Sequence, residues 1–342
     1  MGLFKLRQEI AIDLGTANTV IYKDGKIELN EPSVVSFDSR TNEVIAVGAA
    51  AREMYEKGHK GIDTVRPLQD GVIADFKAAE QMIRGMISLM NKKRHSLFTP
   101  SLKMVVCIPS GSTEVERRAV HDSSEHAGGR DVYMIEEPMA AAIGIGIDVL
   151  APEGNMIVDI GGGTTEIAVI SYGGISVNES IRIAGDEFTR DIVNYMKNKY
   201  SVRVGERTAE QIKIHVGSAL PELPEEQIPE DYLVIGGDTQ DALPREIQVN
   251  YSEIATCLDK SVEEIEKAIG KTLEETPPEL YSDVAKNGIY LTGGGALLRG
   301  LSERLSRRFE IKFHVAEEPL LAVAKGTAKA LKHLDEWKFL IH

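Results

Sequence analysis

The pattern of apolar and polar positions along this chain occurs twice. Near the start, the apolar run Ile10-Ala11-Ile12 ends in Asp13-Leu14-Gly15-Thr16; Thr19-Val20-Ile21-Tyr22 and a turn at Asp24-Gly25 follow. Past the middle, Met156-Ile157-Val158 ends in Asp159-Ile160-Gly161-Gly162-Gly163-Thr164; Ile167-Ala168-Val169-Ile170 and a turn at Gly173-Gly174 follow. Each block reads as a buried strand, an acidic Gly-rich turn, a second strand and a tight turn. A second pair comes in the same order. Val105-Val106-Cys107-Ile108-Pro109-Ser110-Gly111 leads into a helical pattern and then Glu136-Glu137-Pro138-Met139-Ala140-Ala141-Ala142. Ile289-Tyr290-Leu291-Thr292-Gly293-Gly294-Gly295 leads into another and then Glu317-Glu318-Pro319-Leu320-Leu321-Ala322-Val323. Two echoes in one order predict two related lobes, residues 1–145 and 146–342, each a mixed sheet with helices packed on it.

Insertions separate these blocks. Residues 32–75 carry strand-like Val34-Val35-Ser36-Phe37 and Val44-Ile45-Ala46-Val47, which predicts a small β-rich subdomain in the first lobe. Residues 182–271 form the insertion of the second lobe. Asp186 is placed to cap a helix whose apolar face carries Phe188, Ile192 and Met196. Thr208-Ala209-Glu210-Gln211 and Ser261-Val262-Glu263-Glu264 both fit the capping-box pattern, so helices are expected to start there. The second would carry the stripe Val262, Ile265, Ile269 and Leu273 and stop at Pro277-Pro278. The acidic, Pro-rich residues 221–229 read as a surface loop.

Length and charge narrow the class. A chain of 342 residues is long for one core, which agrees with two lobes. The formal net charge of −14 argues against a non-specific nucleic-acid binder, which needs a basic face. Cys107 and Cys257 lie far apart and outside any CxxC or Cys/His cluster, so two free thiols and no zinc site are expected. No apolar stretch approaches the roughly 20 residues that span a bilayer. The N-terminus lacks the apolar run of a secretory signal, and Leu6 stands where a myristoylation motif has Ser or Thr. The chain is expected in the cytoplasm.

The two acidic turns carry the chemistry. A Gly-rich turn lets backbone N–H groups approach a phosphate chain with no Cβ in the way. An Asp at the end of the preceding strand supplies a hard oxygen for Mg²⁺, usually through metal-bound water. Asp-x-Gly turns also cap ordinary hairpins. Here the duplicated context and the third glycine cluster, Gly293-Gly294-Gly295, favour a nucleotide held between the lobes, with Asp13 and Asp159 on either side of the ion. No GxxxxGK[ST] loop, helix-opening GxGxxG, nucleophile elbow or HExxH motif occurs, so the common alternatives have no support.

Asp13-Leu14-Gly15-Thr16, Asp159 to Thr164 and Thr292 to Gly295 resemble the phosphate 1, phosphate 2 and adenosine motifs of the actin, Hsp70 and sugar-kinase superfamily. Several stretches resemble more specifically MreB, the family of bacterial actin homologues. They are Ile12 to Thr19, Arg66-Pro67-Leu68-Gln69-Asp70-Gly71-Val72-Ile73-Ala74-Asp75-Phe76, Ile135 to Gly144, Gly205-Glu206-Arg207-Thr208-Ala209-Glu210, and Leu291 to Leu301. The likeness runs from about residue 9 to residue 331.

The resemblance implies an α/β, actin-like ATPase fold, with two pseudo-symmetric RNase H-like lobes around a nucleotide cleft. It implies ATP and Mg²⁺ as ligands. Asp13 and Asp159 would hold the metal through water. Gly15, Thr16, Ala17, Asn18 and Thr19 would surround the phosphates together with Gly161, Gly162 and Gly163. Glu210, Gln211, Ile212 and Lys213 would face the ribose and base, and Gly293, Gly294, Gly295, Ala296 and Leu297 the adenine. Glu137 and Thr164 would position the water that attacks the γ-phosphate. From the residues alone, a helix cap is the better reading of Glu137 beside Pro138, and a surface ion pair the better reading of Glu210 with Lys213, three apart.

The family further implies filaments of the chain itself, slow ATP hydrolysis, and binding to the inner face of the cytoplasmic membrane. Membrane proteins of the cell-elongation machinery would be partners in directing wall synthesis and rod shape. A loop at Lys92-Lys93-Arg94-His95-Ser96-Leu97-Phe98-Thr99-Pro100 resembles a membrane-insertion tip, with Leu97 and Phe98 as the inserting pair. The alternative keeps those two side chains in the core and uses the basic run to complement a helix C-terminus. An Hsp70-like chaperone would need a substrate-binding domain after the ATPase, for which residues up to His342 are expected to leave no room. A sugar kinase would need an Asp base beside an acceptor pocket.

Overall fold

The computed structural model describes residues 7–55, 57, 60–91 and 101–337. Lys92, Lys93, Arg94, Leu97 and Phe98 lie outside the described residues.

The first half opens as a meander of β1 (Arg7–Leu14), β2 (Asn18–Lys23) and β3 (Lys26–Pro32). Asp24 and Gly25 turn β2 into β3 with φ of 51° and 82°, the double positive φ that matches the twist of a tight hairpin. The insertion holds β4 (Val35–Asp38), β5 (Val44–Val47), α1 (Ala49–Arg52) and β6 (Ile62–Val65), in a sheet ordered β5-β4-β6. A small hairpin, β7 (Leu68–Gln69) and β8 (Val72–Ile73), leads to α2 (Phe76–Asn91). Then come β9 (Ser101–Ile108), α3 (Glu114–His126), β10 (Gly129–Glu136) and α4 (Glu137–Ile145).

The second half repeats the plan with β11 (Asn155–Ile160), β12 (Thr165–Ser171) and β13 (Gly174–Ile181). Its insertion runs through α5 (Gly185–Tyr200), β14 (Val202–Arg203), α6 (Glu206–Val216), β15 (Tyr232–Asp238), β16 (Pro244–Val249) and α7 (Tyr251–Glu275). After α8 (Pro278–Asn287) come β17 (Ile289–Thr292), α9 (Leu301–Phe309), β18 (Phe313–Val315) and α10 (Ala322–Lys332). The sheets are ordered β10-β9-β1-β2-β3 and β18-β17-β11-β12-β13, one topology used twice. In each, the meander is antiparallel and the two later strands add in parallel.

The alternation of the strands sorts the core into three layers. Ile10, Ile12, Met104, Val106 and Ile108 face outward from the first sheet onto Met82 and Met86 of α2. Met156, Val158, Ile160, Ile167 and Val169 face outward from the second, onto Phe188, Ile192, Ile212 and Ile265. The inner faces carry Ala11, Val105, Cys107, Ile157, Ala168 and Ile170, and between them lie α4 and α10. Helix α4 leaves the first sheet and reaches β11 and β12; α10 leaves the second and lies on β1, β2 and β9.

These helices cross at glycines. A Cβ on Gly144 would stand 1.8 Å from the carbonyl oxygen of Ala322, and one on Gly326 1.7 Å from that of Ala140. Backbone touches backbone there, which no larger residue permits. Lys329 Nζ then donates to the carbonyl of Ile143 at 2.8 Å, where the C-terminal end of α4 favours a cation.

Three helix starts differ from the sequence reading. Asp186 lies inside α5, whose cap is Ala184, and is ion-paired instead. Thr208 is the third residue of α6, which starts after Gly205. Ser261 lies in the middle of α7, and its hydroxyl donates to Asp191 at 2.5 Å. The box that starts α7 is Asn250 with Glu253, both of its side-chain bonds made. The stripe Val262, Ile265, Ile269 and Leu273 is buried as read, and α8 begins at Pro278. The second hairpin turns on Tyr172 and Gly173, one residue early.

Candidate functional site

Strand alternation delivers four chemically active side chains to one place. Asp13 continues the inner face marked by Ala11, Asp159 that of Ile157, and Glu166 that of Ala168; Cys107 shares the inner face of β9. Beside Asp13 and Asp159 opens a cavity of about 850 Å³ between the halves, in the size range of small-ligand sites. Cys107 Sγ donates to Asp13 Oδ1 at 3.1 Å, and Thr292 Oγ1 donates to Asp159 Oδ1 at 2.7 Å.

Burial raises the Asp13 carboxyl to about 6, against the lowering effect of the Cys107 bond. Burial raises Asp159 to about 7; the Thr292 bond opposes this and the charge of Asp13 adds to it. Among the described residues, no basic side chain is one of the main influences on either. A buried carboxylate, Asp159, and a half-buried one, Asp13, close enough for the charge of one to act on the other, are a donor set that fits a hard divalent ion held through water.

The two Gly-rich turns meet. A Cβ on Gly162 would lie 2.8 Å from Ala17 Cβ; one on Gly163 would lie 2.8 Å from Thr16 Oγ1 and 2.9 Å from Asp70 Cα. Glycine there lets both turns bring their N–H groups to one spot. Thr16 Oγ1 also accepts from the N–H of Gly71 at 3.1 Å, joining the β7–β8 hairpin to the first turn. Glu137 is the first residue of α4, with Glu136 as the cap residue, so its side chain is not a cap. It lines the cavity, and its carboxyl is pushed well up by burial and then by the charges of Glu166, Asp13 and Asp159. Thr164 follows the second turn and is buried on the same cavity.

On the far side, Lys213 Nζ pairs with Glu210 Oε2 at 2.6 Å and donates to the carbonyl of Gly185 at 2.8 Å. Thr189 Oγ1 donates to Glu210 at 2.8 Å, so the pair is tied to α5 rather than free on the surface. Leu297 and Leu320 line the cavity although 55% and 59% exposed, giving it apolar walls next to Gly293, Gly294 and Gly295.

The family described as MreB/Mbl protein matches residues 7–339. The chain belongs to the MreB/Mbl family. It is 46% identical to the cell shape-determining protein Mbl of Bacillus subtilis over 330 residues, covering 96% of this chain and 97% of that one. It is 44% identical to the cell shape-determining protein MreB of Escherichia coli over 339 residues, covering 98% and 95%. The structure matches that of MreB5 of Spiroplasma citri bound to AMPPNP with a TM-score of 0.89 at 36% identity, covering 96% and 97% of the two chains. The MamK double helical filament shares the fold, with a TM-score of 0.77 at 18% identity. The fold of this MreB/Mbl chain is therefore actin-like, mixed α/β.

Most of the expected residues of this family member surround the cavity: Asp13, Gly15 to Asn18, Glu137, Asp159, Gly161 to Thr164, Glu210, Gln211, Lys213, Gly293 to Gly295 and Leu297. Three do not line it. Thr19 is buried and shares a hydrogen bond with Ser33 Oγ at 2.9 Å. Ile212 faces the core on the inner side of α6, and Ala296 is buried beneath the glycine cluster. The sequence reading also missed residues. Arg66 NH2 meets Asp186 Oδ2 at 2.7 Å and Arg66 NH1 meets Glu206 Oε2 at 3.8 Å, an ion pair spanning the cavity mouth. Arg66 stood within a family-like stretch, but nothing in one sequence links it to residues 120 and 140 positions away. Cys107 and Glu166 read as ordinary strand positions.

Proposed function

We propose that this chain binds Mg-ATP in the cavity between residues 1–145 and 146–342, hydrolyses it slowly, and assembles into filaments whose lifetime follows the nucleotide. The carrying observation is the pair of carboxylates at the cavity, half-buried Asp13 and buried Asp159, beside two touching Gly-rich turns. Asp13 and Asp159 would hold Mg²⁺ through water, and the bound ion would neutralise charge on the phosphates. The N–H groups of both turns would cradle those phosphates, with Glu210 and Lys213 at the ribose and Leu297 against the base. Glu137 and Thr164 would align the attacking water, and alignment supplies much of the barrier reduction in phosphoryl transfer.

The filaments would work on the inner face of the cytoplasmic membrane with proteins of the elongation machinery, directing wall synthesis and rod shape; that relatives are cell shape-determining proteins supports this reading. Leu97 and Phe98 would supply the contact. Burying both is worth roughly 3–6 kcal/mol before ordering costs, enough for weak binding by a monomer and firm binding by a filament that presents the pair on every subunit.

The test measures phosphate release per polymerised subunit and vesicle co-sedimentation together. Glu137→Ala or Thr164→Ala should slow release, spare ATP binding and prolong filaments; equal turnover in wild type and Glu137→Ala removes the catalytic assignment. Leu97→Ser with Phe98→Ser should abolish co-sedimentation while assembly in solution continues. A fall of several degrees in the melting temperature of that double variant would instead mark the two as core.

A further inference from the structure

One fully buried carboxylate near the cavity lies outside the nucleotide-binding set. Glu166 on β12 accepts from Ser110 Oγ at 2.5 Å, from the N–H of Ser110 at 3.1 Å and from Ser180 Oγ at 2.5 Å. In register it stands opposite Asp159 on one side and Ser180 on the other. Like charges directly opposite in a sheet are unfavourable, and the next inner-face positions of β12 are the apolar Ala168 and Ile170. An apolar residue at 166 would suit the fold better, so the carboxylate calls for a reason beyond packing.

Its partners show what it joins. Ser110 belongs to the turn after β9 of the first sheet, whereas Glu166 and Ser180 belong to the second. A Cβ on Gly111 would stand 3.2 Å from Ser180 Cβ, so the whole turn is seated on β13. The preceding Pro109 has its Cγ 3.2 Å from the Cβ position of Gly71, and at that same position Thr164 Cγ2 lies 2.8 Å away. Glu166, Ser110, Pro109, Gly71 and Thr164 thus form one continuous packed path across the boundary between the halves. Glu166 is also the strongest charged neighbour of Glu137.

We propose that Glu166 is a positioning residue for γ-phosphate cleavage, holding the Ser110 turn across the boundary so that Glu137 and Thr164 share one water only when the halves are closed. This rests on the roles given above to Glu137 and Thr164. Glu166 touches no nucleotide itself, so its loss acts on the cleavage step and spares binding.

Glu166→Gln keeps an acceptor for Ser110, while Glu166→Leu keeps the volume and removes every bond. Each is compared with wild type and Glu137→Ala for the dissociation constant of ATP, thermal melting, and single-turnover cleavage within filaments. Glu166→Leu should cleave about 10- to 100-fold more slowly, as expected for a misplaced reacting group, with ATP affinity within about twofold and Glu166→Gln restoring most of the rate. Cleavage at the wild-type rate in Glu166→Leu, with Glu137→Ala slow, removes Glu166 alone. So does a parallel loss of affinity and rate in both Glu166 variants, which marks a purely structural role. Wild-type turnover in Glu137→Ala removes the underlying assignment and this proposal with it. If Glu166→Leu does not fold, Ser110→Ala decides: slowed cleavage with intact affinity supports the tie, and unchanged cleavage overturns it.

Discussion

Asp159 carries a cost in the fold that the hydrogen bond from Thr292 offsets only in part. Its carboxyl has a pKa near 3.8 in an unfolded chain and about 7 in the fold, so between these values the folded state holds the extra proton. Stability is therefore greatest below the lower value and is lost as pH rises through the higher one. Asp159→Asn should raise the melting temperature of nucleotide-free protein at pH 8, the gain shrinking towards pH 4, and should abolish Mg-ATP binding. A melting curve that is unchanged at pH 8 would mean the carboxylate is not strained by burial. At this scale the sequence was legible where a residue type has few alternative uses. Asp before Gly-Gly-Gly at a strand end is such a case. Glu166 was not legible, because in Thr164-Thr165-Glu166-Ile167-Ala168 a Glu alternating with apolar residues reads as the solvent side of a strand. Only the second sheet, brought against the first, turns that side inward.

Among elements, the paired strand blocks of the two halves could be read because apolar runs bounded by Gly-rich turns leave few alternatives. Helix starts were harder. A Ser/Thr-x-x-Glu pattern satisfies a cap only if the first residue is extended, as Asn250 is with φ −108° and ψ 163°. Ser261 also has a Glu three residues on but lies inside the helix, and its hydroxyl is taken by Asp191 from another helix. The α4–α10 crossing was invisible for a related reason: Ala-rich helices pack anywhere, and only the fold makes Gly144 and Gly326 meet. Gly326→Ala would drive a methyl group into a carbonyl oxygen of the facing helix. It should destabilise by about 1–3 kcal/mol or more, although alanine favours a helix over glycine by about 1 kcal/mol. Thermal unfolding measures it; a more stable Gly326→Ala protein would show that the helices part freely. The same change at half-buried Gly237, where an added Cβ would have nothing within 4 Å, is the control.

Across the whole molecule, two of the joins between the halves are unlike. On one side lies the dry crossing of α4 and α10; on the other, the Arg66–Asp186 pair closes the cavity mouth with side chains 23% and 32% exposed. A pair so exposed is worth about 0.2–1 kcal/mol, enough to slow escape of a ligand by no more than about fivefold and weak enough to open thermally. Arg66→Ala should therefore release nucleotide up to about fivefold faster at low salt. Added salt should speed release from wild type and leave the variant unmoved. Stopped-flow displacement of a fluorescent nucleotide reads both; equal rates at low salt would mean that the mouth is held by other contacts.

The crossing itself has a mechanical consequence. Where two backbones touch with no side chain between them, there is little to compress, so a movement of one half against the other is expected to turn about this contact as about an axle. Displacement about an axle grows with distance from it, least at Gly144 and Gly326 and most at the outer rim of the insertions. A single methyl group added at the axle would appear there as a small angular error. In a polymer of such subunits, each stacked on the last, equal angular errors add along the fibre. A substitution in the middle of one molecule would then be read, many subunits away, as a change of pitch.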